Sequence, residues 1–263
     1  MPAIRWTSLI LLTLGYGLAL SHGDLTLPAT ITFGILIMAG VCVTQFRQRP
    51  VVWFGHGLFI ALGVALASHW LPGFFSERVI AAQRFSEHAA PFSMYLNLDK
   101  PLIGFWILLA CPWALAAVRT GRAVKTSLLM LLSTSLVCLG TATALGVVGW
   151  APKWPEQSTL WLLNNLLLVT LTEELLFRAY IQGGLQHVLR RLPYGGAMAI
   201  VLSAGLFGLV HLGGGWQWAL LAGIAGVGYG LAYRYGGLQA AVVTHFGLNL
   251  LHFGLFTYPM FDR

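Results

Sequence analysis

Long apolar runs follow one another along almost the whole of this sequence. Each is close to the roughly 20 residues that a helix needs to cross about 30 Å of hydrocarbon. Nine such runs fall at about 6–22, 26–46, 51–72, 101–118, 126–150, 158–181, 195–213, 215–233 and 237–257. Only 9% of the residues are charged, against about 25% in an ordinary soluble domain. The sequence therefore predicts an all-α, polytopic membrane bundle of eight to nine transmembrane helices.

The basic residues predict how these helices are oriented in the bilayer. With the N-terminus inside, nine lysines and arginines fall in inner loops and five in outer loops, as the positive-inside rule requires. The formal charge of +7 is spread over short loops and forms no basic stripe interleaved with aromatic residues, so a nucleic-acid partner is not expected. The first run also resembles a cleavable signal peptide ending near Ser21, which leaves its removal an open alternative.

Polar residues divide the chain into two predicted domains. Residues 1–150 show no buried acid and no polar cluster, and they are predicted to be scaffold helices. Residues 151–263 concentrate polar groups at helical spacing and are predicted to form the catalytic core. In the same half, Ala222, Gly226 and Gly230 form a row of small residues at intervals of four, a pattern that predicts close helix packing in lipid.

The segment LLVTLTEELLFRAYI, residues 167–181, places two glutamates and an arginine inside an apolar run. A charged side chain at the membrane centre costs about 2.5–3.5 kcal/mol on insertion scales, so its presence indicates a function. In an α-helix Glu174 and Arg178 share a face, whereas neighbouring residues point about 100° apart. We therefore predict an ion pair between Glu174 and Arg178, with Glu173 facing another polar group in the bundle.

Two later runs supply such polar groups. The stretch FGLVH holds Phe207 and His211 one turn apart, and HFGLN holds His245 and Asn249 at the same spacing. These side chains could be only hydrogen-bonding partners between helices, or parts of a proton or ion relay. Together with Glu173 they favour water activation and oxyanion stabilisation. This chemistry predicts peptide-bond hydrolysis within the membrane, since no HExxH or nucleophile motif is present in the sequence.

Three motifs in order resemble those of a known family. EELLFR, FGLVH and HFGLN are similar to the EExxxR, FxxxH and HxxxN motifs of the CPBP family. That family comprises type II CAAX prenyl endopeptidases, bacteriocin-processing proteins and Abi proteins, and the resemblance covers roughly residues 158–257. It implies an intramembrane endopeptidase, embedded in the lipid bilayer, that cuts a membrane-associated protein or peptide with a lipidated or sorting tail.

The resemblance also implies roles for particular side chains. It implies that Glu173 is the base that activates water and that His211 assists Glu173 in this step. It also implies that His245 and Asn249 form the oxyanion pocket. The supporting residues that it implies are Glu174, Arg178 and Phe207.

The need for a metal is a separate question. The family was named as metalloproteases, and zinc on Glu173, His211 and His245 is the alternative. We expect no required cofactor, because Asn249 is a poor zinc ligand and a good oxyanion donor. Two other functions stay open: a catalytically silent membrane binding or immunity protein, and a proton- or ion-coupled transporter.

Overall fold

The computed structural model describes residues 2–115 and 119–262, which are mainly helical. The helices are α1 (Pro2–His22), α2 (Pro28–Thr44), α3 (Arg49–Ala67), α4 (Pro101–Ala110), α5 (Thr120–Ala144), α6 (Ser158–Arg191), α7 (Gly195–Val210) and α8 (Trp216–Leu255). One two-stranded sheet joins β1 (Glu77–Gln83) and β2 (Phe92–Leu96). The predicted helical class is thereby confirmed for the described part of the chain.

Four of these helices, α3, α5, α6 and α8, are long and apolar enough to cross a membrane. The helices α2, α4 and α7 are apolar but shorter. The two predicted spans, 215–233 and 237–257, correspond to two helical segments of α8 that meet at a break in the helix at Gly237, with φ 76° and ψ −174°. The chain turns back at this break, because the rings of Tyr229 and His245 stack at 4.3 Å, whereas residues so far apart in one continuous helix would be separated by about 24 Å. A positive φ is readily adopted only by glycine, which explains the residue at this break. The count of eight to nine transmembrane helices stays a prediction.

The contacts between Cα atoms group residues 1–78 and 95–115 into a first unit. Its helices pack around Trp106, whose ring stacks on Phe59 at 3.8 Å and whose Nε1 donates to the Leu36 carbonyl at 3.0 Å. The expectation that the first half contains no buried acid is wrong. Asp99 is 4% exposed, and its Oδ2 lies 2.5 Å from His69 Nδ1. The sequence did not indicate this pair, because both residues lie next to the ends of apolar runs, in segments that are expected to be exposed to water.

Residues 79–94 and 116–263 make up the second unit, which is described only for 79–94 and 119–262. Its main packing joins α5 and α7 to α8, with α6 beside α7 and α8. These contacts place α5 with the later helices, whereas the boundary predicted near residue 150 separates them. As a boundary between scaffold and catalytic function, residue 150 stays a prediction.

Glycines allow α7 and α8 to approach closely. A Cβ added at Gly226 would lie 3.1 Å from Ala204 Cα, and one added at Gly230 would lie 2.9 Å from both Gln182 Oε1 and Ile200 Cγ2. Cβ contacts under about 3.0 Å force neighbouring atoms to move, so these positions accept little more than hydrogen. The close packing predicted from the row of small residues is confirmed.

We expect Gly230→Ala to lower the free energy of unfolding by about 1–3 kcal/mol, because the added methyl overpacks a closed contact. The measurement is unfolding of the purified protein in detergent micelles. Gly223→Ala is the matched control on the same helix, since the nearest atom to its added Cβ is 4.0 Å away. Equal stability of the two variants would contradict this account of the packing.

Candidate active site

The helix α6 carries both glutamates and departs from α-helical geometry on either side of them. The segments Asn164–Thr170 and Leu175–Gln182 are π-helical, and the short α-helical segment Leu171–Glu174 lies between them. Such π-helical turns are rare and often occur at functional sites. The two carboxylates differ in exposure, because the side chain of Glu174 is 0% exposed and that of Glu173 is 30% exposed.

Glu174 lies at the centre of a buried network. Its Oε2 accepts a hydrogen bond from Arg178 Nε at 3.2 Å, so the predicted ion pair is present. The arginine extends the network, since its Nη1 donates to Ser203 Oγ at 3.2 Å and Ser203 donates to the Phe177 carbonyl at 2.7 Å. All three charged or polar side chains, of Glu174, Arg178 and Ser203, are fully buried. Their mutual hydrogen bonds are what makes such burial tolerable.

His245 joins the two glutamates. Its Nδ1 lies 2.8 Å from Glu174 Oε1, and its Nε2 lies 3.9 Å from Glu173 Oε2. The ring stacks on Tyr229 at 4.3 Å and meets the edge of Phe207 at 5.8 Å. Both aromatic rings also face the Arg178 guanidinium, at 5.6 and 5.1 Å from their centroids. The imidazole is therefore held in one orientation by a carboxylate and two aromatic rings.

His211 follows the last residue of α7 and is half-buried. Its Nδ1 lies 2.7 Å from the Phe207 carbonyl oxygen, and its ring lies 4.6 Å from the Phe207 ring. A carbonyl oxygen only accepts hydrogen bonds, so Nδ1 carries the proton and Nε2 has a lone pair. Among the described residues, no hydrogen bond or ion pair joins His211 to Glu173. Phe207 thus lies between the two histidines and contacts both.

Asn249 lies one turn beyond His245 on α8 and contacts a residue that the sequence analysis missed. Its Nδ2 donates to Asn165 Oδ1 at 3.2 Å, and Thr170 Oγ1 donates to the same oxygen at 3.3 Å. Asn165 and Thr170 are buried in α6. Polar residues five apart in an apolar run were the available signal, but they share a face only in a π-helix.

Aromatic side chains close the site beyond Asn165 and Asn249. Trp161 stacks on Phe253 at 4.0 Å, and its Nε1 donates to the Tyr258 hydroxyl at 3.0 Å. Burial raises the pKa of the Tyr258 phenol to about 12, so it stays a neutral hydroxyl. Polar groups between α6 and α8 are therefore covered by rings at this end.

The alternative zinc ligands Glu173, His211 and His245 are not assembled as a set. Within residues 2–115 and 119–262, no group of three or more histidine, cysteine, aspartate or glutamate side chains could hold a metal ion. The residues present in this conformation do not fit a zinc site, which needs three or four converging ligands.

The apolar helices and the buried network of carboxylate, histidine and arginine side chains together indicate a helical membrane protein with a polar centre. Residues 155–251 match the family model described as type II CAAX prenyl endopeptidase Rce1-like. This segment therefore carries an Rce1-like domain, and the resemblance to the CPBP intramembrane endopeptidases is confirmed. The match shows that residues 155–251 are similar to the domain of CAAX-type proteases. Searches of curated proteins and of solved structures gave no match.

Proposed function

We propose that this protein is an intramembrane endopeptidase that hydrolyses a peptide bond with a water molecule activated by Glu173. One observation carries the proposal: His245 presents one nitrogen to Glu174 at 2.8 Å and the other towards Glu173 at 3.9 Å. Glu174 and Glu173 each lie near one nitrogen of the His245 ring, and we assign them different roles. Glu174 holds the ring, whereas Glu173 lies next to the nitrogen that faces the reaction.

Glu173 is the carboxylate best suited to act as the general base. Both oxygens of Glu174 already accept hydrogen bonds, from Arg178 and from His245. Glu173 has no such hydrogen bond among the described residues and is 30% exposed, so a water molecule can reach it. A base must lie within hydrogen-bonding distance of the proton that it removes. The lone pair of His211 Nε2 suits the second role, in which it accepts a hydrogen bond from the same water.

The geometry of the site supports a donor role for His245. Its Nδ1 lies 2.8 Å from Glu174 Oε1, and its Nε2 lies 3.9 Å from Glu173 Oε2. An Nε2–H group at this position is a hydrogen-bond donor beside Glu173, and Asn249 Nδ2–H is a second donor one turn away. Two such donors can stabilise a developing oxyanion.

The proposed reaction has two stages. Water oxygen attacks the scissile carbonyl carbon as Glu173 takes one of its protons, and the carbonyl electrons move onto oxygen. His245 and Asn249 donate hydrogen bonds to that oxyanion. When the intermediate collapses, the C–N bond breaks and Glu173 returns the proton to the leaving nitrogen. The products are a carboxyl group and an amine.

The finer biological features belong to the same proposal. We expect eight to nine crossings of the bilayer with the N-terminus inside, and a substrate that is itself membrane-associated through a lipidated or sorting tail. The hydrocarbon surroundings of α6 and α8 make such a substrate more accessible than a freely soluble one.

The test compares membrane proteomes of cells that carry the wild-type protein or Glu173→Gln. We expect one membrane protein to accumulate uncut in the variant cells and to be processed in the others. Glu156→Gln is the matched control, because it neutralises an exposed glutamate that precedes α6. If the wild-type and Glu173→Gln proteomes show the same processing, the proposal is wrong.

Metal dependence gives a further prediction. Because the chemistry assigned here uses only side chains of this chain, 1,10-phenanthroline or EDTA should leave the cleavage rate of the purified protein unchanged. The rate is measured with a peptide copied from the accumulated substrate. Loss of activity with the chelator, followed by recovery with added zinc, would contradict a metal-free mechanism.

A further inference from the structure

The buried side-chain amide of Asn165 forms a hydrogen bond with Asn249, which is one of the two proposed oxyanion donors. Its side chain is buried at 9% exposure, in a helix whose neighbouring residues are leucine, valine and asparagine. Its Oδ1 accepts one hydrogen bond from Asn249 Nδ2 on α8 and another from Thr170 Oγ1 on its own helix. Both lone-pair positions of that oxygen are therefore used.

The π-helical segment Asn164–Thr170 is what brings Thr170 under Asn165. In an α-helix, residues five apart differ by about 140° around the axis and cannot touch. A π-helical turn closes between residues i and i+5, so the threonine hydroxyl reaches the asparagine amide at 3.3 Å. In this arrangement the hydroxyl donates to the Asn165 amide oxygen, which also faces α8.

An asparagine amide has a donor end and an acceptor end that occupy nearly the same volume. Only the donor end of Asn249 can stabilise an oxyanion, and the acceptor end would repel one. Asn165 Oδ1 bonds the Nδ2 group of Asn249, which excludes the reversed amide because two carbonyl oxygens would then face each other. Nδ2 carries two hydrogens, so one stays available for a substrate.

We propose that Asn165, held by Thr170, is a positioning residue that orients the Asn249 amide for oxyanion stabilisation. This inference rests on the proposed function, since it assigns Asn165 no task apart from hydrolysis. The competing interpretation is that the Asn165–Asn249 hydrogen bond only holds α6 against α8, as polar pairs do in many membrane bundles. The two interpretations predict different effects of Asn165→Leu in a protein that already carries Asn249→Ala.

The experiment measures steady-state cleavage by protein in lipid vesicles. The probe is a quenched fluorescent peptide copied from the cut region of the protein that accumulates in Glu173→Gln cells. We expect Asn165→Leu to lower kcat about ten- to one-hundred-fold, with KM nearly unchanged, because a misplaced catalytic group costs up to about 10²-fold. Asn164→Leu is the matched control at the adjacent position. Asn165→Asp keeps an acceptor oxygen of the same size and should recover most of the loss.

A double-mutant cycle separates positioning from packing. In an Asn249→Ala background, Asn165→Leu should change kcat by less than about three-fold, because its target is gone. A similar loss in both backgrounds would overturn the inference and favour a packing role. Wild-type kcat in Asn165→Leu would also overturn it, and unfolding of each variant in micelles identifies any loss that comes from misfolding.

The hydroxyl of Thr170 provides a second check. Thr170→Val removes the donor without changing the volume and should lower kcat in the same direction, by less than Asn165→Leu does, while Thr170→Ser restores it. Active Glu173→Gln would overturn the proposed function itself. Inactive Glu173→Gln together with fully active Asn165→Leu would leave that function standing and overturn only the positioning role.

Discussion

Glu173→Gln is expected to lower the rate constant for peptide cleavage by about 10²–10⁴, which is the usual contribution of a general base. The substitution keeps the shape of the side chain but removes the proton acceptor. Its structural cost should be small, because this side chain is 30% exposed and makes no hydrogen bond among the described residues. The measurement is single-turnover cleavage of the substrate peptide, together with unfolding of both proteins in the same detergent.

Two comparisons sharpen that result. Glu156→Gln should cleave at the wild-type rate, because this glutamate is exposed and lies outside the site. Glu173→Gln should also still bind the peptide, since the base is needed for the reaction and not for association. A Glu173→Gln protein that is stably folded and cleaves normally would remove Glu173 from the mechanism.

Arg178→Met is expected to cost about 3–5 kcal/mol in the free energy of unfolding, because it leaves a buried carboxylate without its partner. Arg178 and Glu174 are both 0% exposed, and their atoms lie 3.2 Å apart. The substitution also releases Ser203 from Arg178 Nη1. Unfolding of the purified protein in mixed micelles measures the loss.

Two control variants test whether the loss of stability in Arg178→Met comes from the unpaired charge of Glu174. Arg190→Met lies on the same helix at an exposed position and should change stability by less than about 0.5 kcal/mol. The double variant Glu174→Leu with Arg178→Met removes both charges and should be more stable than Arg178→Met alone. If the double variant loses as much as the two single losses combined, charge pairing is not the origin of the effect.

Helical periodicity predicted the parts of the site that lie within one helix. The i, i+4 spacing identified the Glu174–Arg178 ion pair and the contact between Phe207 and His211. The row of small residues correctly indicated close packing at Gly230. These predictions succeed because they need only the geometry of a regular helix.

Helical periodicity could not predict the contacts between different helices. The bond between His245 and Glu174 depends on how α6 and α8 are placed, which the phase of either helix does not specify. The stacking of Tyr229 on the imidazole was missed because it depends on the turn of the chain at Gly237, between these two residues. Asn165 was missed because an α-helical period was applied to a π-helical segment. The buried pair of His69 and Asp99 shows that residues in short polar loops can also fold inward.

The π-helical turn before Glu173 also affects how this chain compares with relatives. Such a turn is equivalent to an α-helix that has gained one residue. Deleting the exposed Leu167 would restore the regular helix and rotate everything before it by about 100°. The side chain of Asn165 would then no longer face α8, while Glu173 and Glu174 would keep their positions. A one-residue gap at this point of an alignment therefore indicates that the hydrogen bond between Asn165 and Asn249 is lost, and not merely that the helix is shorter.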